Sequence, residues 1–157
     1  MEDKVVIKFV KTHPDAKLPT KAHKGDNCFD LYCCKETVVP GSKIIDGEFV
    51  VGKAVIPVGL TVAYCSKGFG FATKNKSGIS FKHNLIRMAG EIDEGFRGDL
   101  GVMLVNLSNK DYTFEVGDKC VQFKVEKIYD TELSFTDTIE EAEDERGSGG
   151  FGSSGKK

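Results

Sequence analysis

An all-β sandwich or barrel is the fold class that this 157-residue chain predicts, on three observations. Short β-branched or alternating apolar runs recur from residue 5 to residue 128, glycine- or proline-centred turns interrupt them about every eight to twelve residues, and no sustained 3.6-residue period precedes residue 130. The length suits one domain burying roughly two thirds of the surface its unfolded chain would expose. A composition of 39% hydrophobic and 29% charged residues is globular, and a net charge of −2 excludes a generic polyanion binder while leaving room for a local cationic pocket. Neither a nucleic-acid nor a membrane partner is expected. Met1 opens onto Glu2, Asp3 and Lys4 without an apolar leader, and no run is long enough to span a bilayer, so a cytosolic protein is predicted.

Residues 5–10 form a β-branched run that ends in the breakers 12–15, a first strand. After a polar stretch, residues 28–33 alternate well enough for a short strand carrying Asp30. An acid within apolar alternation needs a partner, either neighbouring backbone or a basic side chain. Short strands are expected at Thr37–Val39, 48–51, 53–56 and 59–64, each bounded by glycine or proline. One helical turn is expected over Ser77–His83, with Ser77 as N-cap and Lys74 and Lys76 beside it, an arrangement suited to an anion such as phosphate. Beyond the central segment, strands are expected at 112–116 and 119–128, the latter carrying Gln122 as its one uncharged amide.

Residues 90–101, Gly-Glu-Ile-Asp-Glu-Gly-Phe-Arg-Gly-Asp-Leu-Gly, carry the densest site chemistry. Apolar runs at 84–88 and 102–107 flank them, which predicts a β-hairpin with Asp93 at its mouth. Gly95 and Gly98 are expected to supply positive φ or close backbone approach. Along a strand Asp93 and Glu94 would face opposite sides of the sheet.

The five cysteines, Cys28, Cys33, Cys34, Cys65 and Cys120, lack metal-knuckle spacing and are expected to be reduced thiols, and the three histidines are scattered surface or loop residues. The acidic run 137–145 reads as a solvated linker or a short turn of helix that closes a domain of residues 1–136. The tail 146–157 reads either as a flexible glycine-serine appendage or as an arm that orders on a ligand. In the second reading, glycine amides with Gly152, Ser153 and Ser154 would cradle phosphate oxygens, Arg146 would fork onto a terminal phosphate and Phe151 would stack on a base.

Five stretches then fall in order. They are Gly25-Asp26-Asn27-Cys28-Phe29-Asp30-Leu31, Asn75-Lys76-Ser77-Gly78-Ile79-Ser80, residues 90–99, Gly117-Asp118-Lys119-Cys120-Val121-Gln122-Phe123, and residues 146–155. In this order the chain resembles the homotrimeric dUTPase (dUTP diphosphatase) family, along nearly its whole length and most like bacteriophage and bacterial members. The resemblance implies a jelly-roll β-sandwich, a homotrimer whose active sites are shared between subunits, and cleavage of dUTP to dUMP and pyrophosphate. Asp93 would hold and deprotonate the attacking water and contact the 3′-hydroxyl. Phe96, where the family usually has tyrosine, would stack under the sugar and exclude a 2′-hydroxyl. Uracil would be read by backbone of residues 87–92, including Arg87, Gly90, Glu91 and Ile92, and by the facing strand near Gly101. Lys76, Ser77, Gly78 and Gln122 would hold the phosphates, and the arm would close over them. Mg2+ would bridge the phosphates without direct protein ligands, with Asp30 as an acid that could reach the ion through water.

The chain departs from the family pattern in Asn75-Lys76 for Pro-Arg, in Arg87 for a frequent asparagine and in Asp99 for glutamate. Two other readings stand beside the diphosphatase: a dCTP deaminase of the same superfamily, with Glu91 or Glu94 activating water, and a non-catalytic nucleotide-sensing module that docks on a regulatory protein.

Overall fold

A computed structural model of the chain describes residues 4–139. The described residues form twelve strands and one short helix: β1 Ile7–Lys11, β2 Phe29–Tyr32, β3 Thr37–Val39, β4 Lys43–Ile45, β5 Glu48–Val50, β6 Gly52–Cys65, β7 Phe69–Lys74, α1 Ser77–His83, β8 Leu85–Met88, β9 Glu91–Ile92, β10 Asp99–Asn106, β11 Tyr112–Phe114 and β12 Lys119–Lys127. Two four-stranded antiparallel sheets, ordered β1-β6-β10-β8 and β2-β12-β7-β9, face each other as a jelly-roll-like sandwich, with β3–β11 and β4–β5 as two-stranded ribbons. The expected all-β class is what the chain adopts.

The core lies between the two sheets, built from Leu31, Ile56, Leu60, Leu104 and Phe123 of the sheets together with Phe114 of the β3–β11 ribbon. Phe9, Phe29 and Phe71 pack around Phe123, with Phe71 at 4.6 Å and Phe29 stacked at 5.3 Å between ring centroids. Such aromatic pairs add specificity of geometry to the burial itself. No described helix is long and apolar enough to cross a membrane.

Three local expectations are corrected. Residues 53–56 and 59–64 are not two strands but one strand, β6, running through Pro57. The ring is tolerated because β1 pairs only with residues 60–65, so the amide that proline lacks falls beyond that ladder, where only the Pro57 carbonyl is used, by the Cys34 N–H at 3.0 Å. Ser77 is not the helix N-cap. Lys76 holds that position with extended φ −90° and ψ 125°, no side chain caps the helix, and Ser77 is the first helical residue.

The third correction concerns the central segment. β8 and β10 pair as hairpin arms, from Leu85 opposite Asn106 to Met88 opposite Met103. Residues 87–92, however, are not one strand. Ala89 at φ 57° and Gly90 at φ 119° turn the chain out of the first sheet, and β9 pairs with β7 in the second. The left-handed turn falls at Gly90 rather than at Gly95 or Gly98. At Gly98 the need for glycine is close approach, since an added Cβ would meet the Phe96 ring at 2.7 Å.

Candidate active site

Strand register places Gln122 of β12 directly opposite Asp30 of β2 on one side and Lys74 of β7 on the other. Opposed residues share a sheet face, so the first and fourth motifs and the strand end that leads into the second meet in one row. Asp30 is buried, and both its oxygens are engaged: Oδ1 by Lys76 Nζ at 2.5 Å and Oδ2 by Lys119 Nζ at 2.7 Å. Burial pushes the Asp30 carboxyl up, but hydrogen bonds and charge from Lys119 and Lys76 outweigh it and hold the group below the ordinary carboxylate value. The same contact raises Lys119. The partner that an acid in this strand requires is thus a pair of ammonium groups. Lys74 pairs instead with Glu126 at 3.1 Å.

Asn75 occupies the corner between β7 and α1. Its main-chain carbonyl accepts Gln122 Nε2 at 2.9 Å, and its side-chain Oδ1 accepts the Arg87 backbone N–H at 2.8 Å. The Arg87 amide, expected to read a base, is therefore engaged by a side chain of the same chain. Arg87 itself turns its guanidinium inward, where Nη1 donates to the Ala89 carbonyl and Nε is buried without a partner among the described residues. Gly90 lies against Thr73, whose backbone N–H donates to the Gly90 carbonyl at 2.8 Å.

Past β9 the chain carries Asp93, which is exposed on a turn closed by the Phe96 N–H donating to the Asp93 carbonyl at 3.0 Å. Phe96 is 40% exposed. Glu94 is half-buried and accepts the Gly68 N–H at 2.8 Å, so its carboxylate supports the β6–β7 turn. Asp99 accepts the Thr61 hydroxyl at 2.9 Å, and hydrogen bonds from Thr12 and Thr61 hold its carboxyl low. Gly101 sits opposite Pro57, against Val55.

Within the chain, then, Lys76, Ser77, Gly78, Gln122, Arg87 and Gly90 gather around one end of β7, while Asp93 and Phe96 lie toward the other. Ile92 faces Phe71, so Asp93 continues toward Gly70, whereas residues 75–78 continue past Lys74. Four strand residues between those points correspond to about 13 Å at the usual rise. Arg146, Phe151, Gly152, Ser153 and Ser154 lie outside the described residues, as do residues 140–145 of the expected linker. Lys119, Asn75 and Thr73 were not expected at the site. Lys119 belongs to the fourth motif and was legible only through strand register.

All five cysteines are free. Burial pushes Cys120 up to about 12 and raises Cys33, Cys34 and Cys65, which makes these thiols inert. Among the described residues no three His, Cys, Asp or Glu side chains converge as a metal-ligand group.

A family model described as dUTPase matches residues 14–155. The deoxyuridine 5'-triphosphate nucleotidohydrolase of Wolinella succinogenes is 30% identical over 155 residues, covering 98% of this chain and 96% of its own. The protein of the same name from Clostridioides difficile is 35% identical over 151 residues, covering 95% and 97%. In fold, the chain is similar to the Staphylococcus bacteriophage 80alpha dUTPase solved with dUpNHpp, at TM-score 0.79 and 24% identity over 96% of this chain and 98% of that one. A mutant dUTPase from phage phi11 of S. aureus, solved with a structural Mg(II) ion, superposes at TM-score 0.72 and 22% identity over 87% and 99%. With the β-sandwich and the ordered motifs already in place, a match that runs through all but the first and last few residues leaves one assignment: the chain belongs to the dUTPase family.

Proposed function

We propose that the chain hydrolyses dUTP to dUMP and pyrophosphate, with Asp93 holding the water that attacks the α-phosphorus. Hydrolysis of dUTP is the activity of the family. The observation that carries it is the exposed Asp93, on a turn whose backbone is tied to Phe96 while its carboxylate remains open to a ligand. An ionised aspartate is a weak base, but in-line phosphoryl chemistry asks chiefly for orientation of the water and relief of charge. In this reading Phe96, half open beside it, packs under deoxyribose and leaves no room for a 2′-hydroxyl.

The phosphates rest on Lys76, Ser77, Gly78 and Gln122. In this reading Lys76 stays oriented by Asp30 and offers its remaining N–H donors to the phosphates, since an ammonium carries three. The base lies along the Arg87 to Ile92 backbone near Gly101, and Arg146, Phe151, Gly152, Ser153 and Ser154 close over the bound nucleotide. The homotrimer, with neighbouring subunits completing each site, belongs to the same reading and follows from the family resemblance.

Mg2+ belongs to this reading as an ion that arrives on the triphosphate. The donor set fits that role, because Asp93 is the open carboxylate and Asp30 already accepts from two lysines, so phosphate oxygens and water would supply the ligands. Bound there, the ion would neutralise charge on the phosphates. The pairing of Asp30 counts against its reaching the ion through water. Five reduced thiols agree with a cytoplasmic setting.

Glu94 is committed to the Gly68 amide, which leaves the deaminase reading without one of its two candidate bases. The test is pyrophosphate release from dUTP, dTTP, dCTP and UTP measured in parallel with magnesium. Release from dUTP alone is expected; comparable release from UTP would remove Phe96 from sugar selection, and ammonia release from dCTP would replace the diphosphatase with a deaminase.

A further inference from the structure

We infer that Asn75 is a positioning residue that ties the phosphate-binding corner of this chain to its base-reading strand. The inference rests on the diphosphatase reading above. Asn75 is one of only two residues between the end of β7 and the start of α1, and its two oxygens face different sheets. The main-chain carbonyl accepts Gln122 Nε2 from β12 at 2.9 Å, and the side-chain Oδ1 accepts the Arg87 N–H at 2.8 Å.

β8 is the edge strand of its sheet, so β10 can fix only one of its sides. An edge strand presents backbone donors with no ladder partner, and at Arg87 that donor is held by Asn75. The Arg87 side chain does not substitute for this tie, since its guanidinium turns back on the Ala89 carbonyl. Immediately afterwards the chain leaves the sheet at Ala89 and Gly90, both at positive φ, and Thr73 fixes the Gly90 carbonyl at 2.8 Å. The base-reading turn is therefore suspended from β7 at two points two residues apart, Thr73 and Asn75. Gln122, holding Asn75 from the other side, joins the phosphate-binding corner and the base-reading strand of one chain in a single hydrogen-bonded run, whichever subunits' nucleotides they serve. A proline at position 75 could not make the side-chain bond, because it has no acceptor there.

Three measurements on the full-length protein test this. In Asn75→Ala, KM for dUTP should rise roughly fivefold to tenfold, the scale of one lost hydrogen bond, while kcat stays within about twofold. Hydrogen exchange of the Arg87 amide should accelerate in the same variant. In Asn75→Asp, which keeps an acceptor oxygen, that amide should stay protected. A merely structural role would lower the thermal midpoint and move kcat together with KM, which would overturn the assignment, as would an unchanged KM with an unchanged Arg87 amide. If Asn75→Ala does not fold, Asn75→Asp decides, because a freely exchanging Arg87 amide there would remove the bond. Wild-type turnover of dUTP separates the two claims: its absence sinks the diphosphatase reading, whereas normal turnover with an indifferent Asn75→Ala sinks only this one.

Discussion

Lys76 Nζ lies 2.5 Å from Asp30 Oδ1, and Lys119 Nζ lies 2.7 Å from the other oxygen of the same carboxylate. One buried acid thereby joins the first, second and fourth motifs, from β2 to β12 and to the N-cap of α1. Lys76 stands where the family pattern usually has arginine, and an ammonium is a compact point charge with no planar fork to match a carboxylate or phosphate by shape. Asp30 gives that point charge a direction.

Replacing Asp30 by asparagine should therefore destabilise the fold by about 1–3 kcal/mol, because charge-assisted hydrogen bonds are lost at a buried position. The pH dependence follows from the signs of the two shifts. Asp30 is depressed in the folded state, so its contribution is full above the ordinary value of 3.8 and is lost as pH falls through the lower folded value. Lys119 is raised, so its contribution is full below the ordinary 10.5 and is lost as pH climbs through the higher folded value. Urea midpoints measured across pH should show both limbs in the wild type and a flatter acid limb in Asp30→Asn; identical acid limbs would remove this pair from the pH response.

Asp93→Asn should leave the fold and the affinity for dUpNHpp nearly intact while turnover falls by about a hundredfold to ten-thousandfold, the range for loss of a positioned general base. Its exposure means that little packing is disturbed. Stopped-flow pyrophosphate release together with nucleotide titration checks both halves, and unchanged turnover would take Asp93 out of the chemistry.

Removal of residues 146–157 should leave a folded protein with almost no dUTP hydrolysis, since both sheets and the buried core that joins them are built within residues 7–127. Circular dichroism, size and activity of the truncated chain supply the comparison. Full activity without the tail would make it a passive appendage.

Gly90→Ala tests the turn between the two sheets. At φ 119° an L side chain is strained, at a cost of about 1–3 kcal/mol, and the new Cβ would collide with Thr73 Oγ1. A weaker fold and a raised KM for dUTP are expected. Adding Thr73→Ala should recover part of the loss by removing the colliding hydroxyl, and a double variant no better than the single one would show that the backbone conformation alone carries the cost.

The all-β class, the order of motifs and the placement of the short helix were legible in the chain because each depends on neighbours in sequence: period-two alternation, turn residues and local spacing. Asp30 announced its need for a partner by being an acid in an apolar run, and the cysteines announced free thiols by number and spacing. What stayed hidden depends on which strands lie side by side. Lys119 reaches Asp30 through β12 pairing with β2, Pro57 continues a strand because β1 stops short of it, and Glu94 serves Gly68 through the meeting of β9 and β7. Asn75 and Arg87 look like two unrelated departures in sequence, twelve residues apart, until the edge of one sheet meets the corner of the other. Composition and periodicity determine how a segment folds locally; cross-strand register, which no single segment contains, decided which side chains became partners.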